Sequence, residues 1–219
     1  SGTVGTDTSS YKVSFNGGLT YVDVVGGQIS VPAGTVDIKI QVATVNDNLV
    51  EGDETITLTA KSEFETSGAG QTGTGTILDN DSATLSVTPA LNNVSVSEGS
   101  AADFTVKLSN PSATDTTVTL NLVTAGGAGN ASNTDVGGLQ YKDAQGNWVN
   151  VPANGQVTIA AGQTDVIVRV PTTQDGVYEG KENFTLQATV NGSTVSGQGS
   201  IIDDGTGTIP PGQPGTPDN

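Results

Sequence analysis

The chain has no cysteine, no histidine and no methionine. Without thiolates or imidazoles, zinc-type sites are excluded, and so is Cys-His or Ser-His-Asp catalysis. With no disulfide to staple it, a secreted version of this chain needs another brace, and a metal ion is the obvious one. Basic residues are scarce: 7 Lys and Arg stand against 23 Asp and Glu, a formal net charge of -16. Nucleic acid is thereby excluded as a partner, because binding a phosphate backbone takes a basic footprint that releases counterions. The acidic balance favours cations instead. There is no apolar run of membrane-spanning length and no signal peptide, so direct membrane insertion is not expected. The chain reads as a segment of something longer, so the missing signal says little about export. Aromatics make up only 4% of the residues, which disfavours a stacking platform for sugars. No convincing run has helical period.

What is present is Gly, Thr, Ser, Val and Asn, with 30 Gly, arranged at period two. Ile38, Ile40 and Val42 are expected to face inward while Lys39 and Gln41 face out. The same alternation runs through Phe104, Val106 and Leu108, through Val118, Leu120 and Leu122, and through Val166, Val168 and Val170. It recurs in Phe184, Leu186, Ala188 and Val190. One apolar and one wet face per strand is the pattern of an antiparallel sandwich.

The chain also repeats itself. Asp47-Asn48-Leu49-Val50-Glu51-Gly52-Asp53-Glu54 and Asp175-Gly176-Val177-Tyr178-Glu179-Gly180-Lys181-Glu182 both read Asp-x-x-x-Glu-Gly-x-Glu. Aligning Asp47 with Asp175, a shift of 128 (175 minus 47), also brings Asp7 onto Asp135 and Gln28-Ile29-Ser30-Val31 onto Gln156-Val157-Thr158-Ile159. Each copy ends in a glycine-spaced strand and an acidic stop, Asp79-Asn80-Asp81 or Asp203-Asp204. There the shift falls to 124 (203 minus 79), so the first copy has a longer loop around Glu63 to Gln71. A period this long means tandem domains, not a short solenoid. Repeated loops that gather carboxylates suit a hard cation.

Three segments are expected. Residues 82–204 are a complete second sandwich, and residues 205–219, with Pro210, Pro211, Pro214 and Pro217, are a Pro/Gly-rich linker. Residues 1–81 are the C-terminal part of a first sandwich, because they lack a counterpart of Ala83 to Ala128. Truncation, a split of the domain by an insertion, or a variant that closes its core differently all account for this. The fold class is therefore all-β: tandem immunoglobulin-like Greek-key sandwiches, the first lacking its N-terminal strands.

The order and duplication of these motifs resemble the Calx-beta fold as used in extender modules of large repeats-in-toxin bacterial adhesins. The matching features are Thr6-Asp7, Asp47 to Glu54 and Asp79-Asn80-Asp81 in the first copy. In the second they are Thr134-Asp135, Asp175 to Glu182 and Asp203-Asp204, with Val96-Ser97-Glu98-Gly99 as the family's early turn. The chain departs from the family pattern at Val136, where a tyrosine is usual, and at Gly205, where a third acid is usual.

The resemblance implies that the acidic segments meet at one end of each sandwich and bind Ca2+. The implied metal ligands are Asp7, Asp47, Glu51, Glu54, Asp79, Asn80 and Asp81 in the first copy. Glu98, Asp135, Asp175, Glu179, Glu182, Asp203 and Asp204 are those of the second. It further implies an extracellular location on a bacterial cell surface and secretion through a type I channel. The partners would be neighbouring domains of the same long chain, with any host or matrix ligand taken by other modules. No enzyme is expected, since the acids sit at equivalent positions of a repeat. The alternative reading is a calcium-dependent peptide- or sugar-binding module, using an open metal position or the longer loop. A calcium-sensing regulatory domain is less compatible with the composition. Trp148 is expected to pack on the sheet, and the Asn-x-Ser/Thr sequences are cheap matches in such a chain.

Overall fold

The computed structural model describes residues 7–64, 68–89, 94–126 and 129–203. All regular structure among them is β-strand, arranged as immunoglobulin-like sandwich sheets. The chain divides into two compact units, Ser1–Asp81 and Ser82–Asn219. The expected linker, Asp204 and Thr6 lie outside the described residues, as do residues 65–67 of the longer loop.

The first unit holds β1 (Thr8–Ser14), β2 (Val22–Asp23), β3 (Lys39–Thr44), β4 (Glu54–Ala60) and β5 (Gln71–Ile77). They form a three-stranded sheet ordered β2-β1-β3 and a separate pair β4-β5. The second unit begins with β6 (Leu85–Pro89), β7 (Val94–Ser97), β8 (Ala101–Leu108), β9 (Thr116–Val123) and β10 (Gln140–Lys142). It continues with β11 (Trp148–Asn150), β12 (Gln156–Ile159), β13 (Asp165–Pro171), β14 (Glu182–Val190) and β15 (Ser193–Ile202). Two five-stranded sheets result, β11-β10-β13-β8-β6 and β12-β9-β14-β15-β7. All pairings are antiparallel except β7 with β15, which run parallel.

Alternation places the core of the second unit. On β8, Ala102, Phe104, Val106 and Leu108 are buried, and β13 contributes Val166, Val168 and Val170. From the facing sheet come Val118, Leu120, Phe184, Leu186 and Ala188. Phe104 and Phe184 meet edge to face, with ring centroids 6.0 Å apart. Two glycines of β15 make room for them. A Cβ at Gly197 would lie 2.7 Å from Val87 Cγ1 and press on Phe104, and one at Gly199 would enter the Phe184 ring. Strand glycines that admit a neighbouring side chain have this role. The β14–β15 hairpin closes through Asn191 and Gly192, both at positive φ (49° and 79°), the two-residue turn that matches strand twist.

The repeat shift sets β1, β2 and β3 on β10, β11 and β13, and β4 and β5 on β14 and β15. The described residues of the first unit contain no equivalents of β6 to β9. Residues 28–31, the counterpart of β12, are not a strand. The reason is local: β12 pairs only with β9, and no β9 equivalent is there to pair with. The expected inward set Ile38, Ile40 and Val42 is likewise not buried. Ile38 and Ile40 are 36% and 38% exposed, against 7% and 0% for their equivalents Val166 and Val168. Their face lacks the covering strands that β13 has. Val13 is the single buried apolar residue among the described residues of the first unit.

Candidate metal centres

In each unit the same three segments are tied at one end by the same hydrogen bonds. Before the acidic loop, the Val45 N–H donates to the Asp7 carbonyl at 2.9 Å, and the Thr173 N–H to that of Asp135 at 2.8 Å. Within the loop, Asp47 Oδ1 accepts from the Leu49 N–H at 2.8 Å, and Asp175 Oδ1 from the Val177 N–H at 2.7 Å. These are Asx turns, the local reason for Asp at those positions. After the last strand, Asp79 Oδ2 accepts from the Glu51 N–H at 2.8 Å, and Asp203 Oδ2 from the Glu179 N–H at 2.7 Å. The closing acid thus clamps the Glu-Gly loop in place.

That framework brings carboxylates together. In the second unit, Asp135, Glu179 and Glu182 each offer an oxygen within 4.8 Å of the others, and so do Glu98, Asp175 and Glu179. Glu179 belongs to both trios. In the first unit, Asp7, Glu51 and Glu54 form one trio, the repeat equivalent of Asp135, Glu179 and Glu182. All seven candidate ligands of the first copy, including Asp47, Asp79, Asn80 and Asp81, line one cleft. Asp79 and Asp203 stand outside the trios and act as loop clamps. Asn80 donates its amide to Asn46 Oδ1 at 2.9 Å, and Asp79 Oδ1 also accepts from the Asp81 N–H. Asp135, Glu182 and Asp203 are buried.

Burial and mutual repulsion push the glutamate pKa values up, as expected for crowded carboxylates. Glu182 is pushed up to about 8, first by burial and then by Asp135, Glu179 and Glu98. Burial also raises Glu179, with Asp135, Asp175 and Asp203 adding to it. Glu51 rises through burial and the charges of Glu54, Asp7, Asp47 and Asp79. Asp135 goes the other way: burial pushes its carboxyl up, but hydrogen bonds from Ser132 and its neighbours outweigh that and hold it down. A bound cation would offset this repulsion and favour the charged form of the raised glutamates. Their donors are all oxygen, the set calcium takes six to eight of. Asp135, Glu179 and Glu182 fit one such ion, Glu98, Asp175 and Glu179 a second, and Asp7, Glu51 and Glu54 a third.

Some neighbours were not apparent from sequence. Gln174 Nε2 donates to Glu98 Oε2 at 3.3 Å, and Asp53 Oδ1 accepts from the Asp79 N–H at 3.4 Å. The repeat gave no signal for Asp53, since Lys181 takes its place in the second copy. Away from the acids, Arg169 forms two hydrogen bonds with Asp103, at 2.7 and 2.9 Å. Its guanidinium carbon also lies 3.7 Å from the Trp148 ring centroid. Trp148 thus turns a ring face to the protein's own cation.

The Calx-beta domain profile matches twice, over residues 14–83 and 79–194. No match was found among curated proteins. Among solved structures, the apo form of the Calx CBD1 domain is similar at 15% identity and a TM-score of 0.38, covering 55% of this chain and 97% of that one. CBD12 from CALX1.2 is similar at 16% identity and a TM-score of 0.39, over 54% of this chain and 45% of that one. The chain therefore spans less than half of that larger structure. The M1 domain from titin is similar at 9% identity and a TM-score of 0.27, over 58% of this chain and 99% of that domain.

Proposed function

The chain belongs to the Calx-beta domain family, and from that premise we propose that it is a calcium-rigidified extender of a large secreted bacterial surface adhesin. Calx-beta domains are non-catalytic modules that bind calcium. The observation that carries the reading is the recurrence of one acidic trio at equivalent positions of both units, with a second trio sharing Glu179. Calcium supplies the positive charge these carboxylates lack. The chain's own residues do the rest. Asp79 and Asp203 clamp the acidic loops to the closing strands. Glu51, Glu54, Glu179 and Glu182 would hold the ions. Asp79 ties the Glu51 loop to the last residues of the first unit, so an ion held by Glu51 would also brace the end of that unit.

On this reading the module works outside the cell, where calcium is abundant, on the surface of a bacterium. Its direct partners are neighbouring domains of the same long chain, and other modules contact the host or matrix. Thermal unfolding in excess EDTA and then in millimolar calcium tests it, with magnesium as the control. A large calcium-specific rise in melting temperature is expected. Identical melts in all three conditions would sink the mechanism.

A further inference from the structure

We infer that Gln174 is a positioning residue of the second unit's metal centre: its side-chain amide holds the Glu98 carboxylate over the acidic loop, so that Glu98, Asp175 and Glu179 stand together before an ion arrives. The inference rests on the calcium reading and deepens it, since it concerns how one site is built. The need for such a device comes from chain order. Asp175 and Glu179 lie on one loop, between β13 and β14, whereas Glu98 lies in the turn between β7 and β8. All three are carboxylates, so without an ion they repel one another. Repulsion drives the Glu98 side chain off the loop unless an uncharged group ties it there.

Gln174 supplies that tie. It directly precedes Asp175, and its Nε2 donates to Glu98 Oε2 at 3.3 Å and to the Asp175 carbonyl at 3.2 Å. One amide thus spans both segments of the trio. It brings no charge to compete with a cation. A carboxylate offers about four lone-pair sites, so accepting one N–H leaves it able to hold an ion as well. Donors of this kind, placed behind a ligating carboxylate, fix its orientation.

The surroundings leave Gln174 this one task. The backbone of the Glu98 turn is already fixed. The Glu98 N–H donates to the Ile202 carbonyl at 3.1 Å, and the Thr172 N–H to that of Ser100 at 2.9 Å. The Thr172 hydroxyl donates between the Ser97 and Ser100 carbonyls, at 3.2 and 3.1 Å. The Gln174 stem packs on the bare backbone of Gly99, where a Cβ would lie 3.1 Å from Gln174 Cβ. What remains open is the direction of the Glu98 side chain, and the amide sets it. The repeat uses the same position in a related way. Asn46, the equivalent of Gln174, donates to the Asp47 carbonyl at 3.3 Å and accepts from Asn80 at 2.9 Å. In both copies an amide bonds the carbonyl of the loop's first Asp and reaches a second segment.

Calorimetric calcium titration of the intact chain, stripped with EDTA, tests this against Gln174→Met, which keeps the length and loses the amide. One class of calcium sites should weaken by about tenfold, the low end for groups behind metal ligands, because this bond is exposed. The other sites should keep their affinity, and the melt in EDTA should match that of the parent chain. Adding Gln174→Met to Glu98→Gln should cost no further affinity, because the amide acts through that carboxylate. Unchanged affinities in Gln174→Met overturn the inference and leave the calcium reading standing. A loss that persists in the Glu98→Gln background, or one spread over all sites with a lower melt in EDTA, overturns it too, since Gln174 then acts on the fold. A parent chain that binds no calcium overturns the calcium reading, and this inference with it.

Discussion

Ile40 and Val168 hold the same place in the repeat, on equivalent strands, yet one is 38% exposed and the other fully buried. Ile56 and Phe184 differ in the same direction, and so do Gly73 and Gly197 in what surrounds them. The local sequences are alike, so local sequence is not the cause. Strand alternation decides which face of a strand is apolar; whether that face is covered depends on strands from elsewhere in the fold. The acidic ends behave differently. They depend on short loops that each copy carries in full, and the clamps from Asp79 and Asp203 match to within 0.1 Å.

The sharpest way to break this comparison is to cut into both cores. Phe184→Ala should cost the second unit about 3–5 kcal/mol, as for a large buried aromatic. Ile56→Ala should cost the first unit less, about 1–2 kcal/mol, because its side chain is only half-buried. Trp148 fluorescence in urea reports the former and hydrogen exchange the latter. Equal costs would mean that the first unit closes a core by itself.

Calcium should sharpen it next. At an excess of about 100 times the dissociation constant, bound calcium stabilises by about 2.7 kcal/mol. Glu179→Gln strikes both trios of the second unit and should remove most of that gain, read as the calcium-induced shift in melting temperature. Glu51→Gln strikes the one trio found among the described residues of the first unit and should remove most of the smaller shift there. A calcium response left intact by Glu179→Gln would separate the trios from metal binding.

The metal-free second unit should also depend on pH. Glu182 titrates at about 8 in the fold, against an ordinary 4.5. The folded state therefore holds a proton that the unfolded chain has released, and stability falls as pH rises between those values. Urea midpoints in EDTA at a series of pH values measure this. The first unit has the same sign through Glu51, and calcium should flatten both profiles. The smallest effect is expected from Arg169→Gln, which gives the second unit the residue found at the equivalent Gln41. Its partner pair is about a third exposed, so the loss should be near 1 kcal/mol by urea midpoint.

Much of the fold was readable in the sequence. The alternation of Phe104, Val106 and Leu108 and of Val166, Val168 and Val170 named core residues directly, because both of their cover strands lie in the same unit. The same reasoning failed at Ile38 and Ile40, where cover is missing, and residues 28–31 lost their strand with the partner that would pair them. Of the candidate sites, the repeat pointed to Glu51, Glu54, Glu179 and Glu182, since the motif states their spacing. It could not separate acids that face each other from acids that bond the backbone, because Asp79 and Asp135 are the same residue type in different hydrogen-bond surroundings. The stack of Trp148 on Arg169 spans strands β11 and β13, which are brought together only by β10 between them.

The parallel pairing of β7 with β15 has a mechanical consequence. Tension on the chain on either side of the second unit loads β6 first and, once β6 has peeled from β8, pulls β7 toward its start and β15 toward its end. Because the two strands point the same way, those pulls slide one along the other. The ladder from Val94 opposite Gly199 to Ser97 opposite Ile202 is then loaded in shear, together with the bond from the Glu98 N–H to the Ile202 carbonyl. Rungs loaded in shear must yield together, whereas a hairpin pulled from its open end unzips one rung at a time. The Asp203 clamp sits just beyond Ile202, at the end of the same strand.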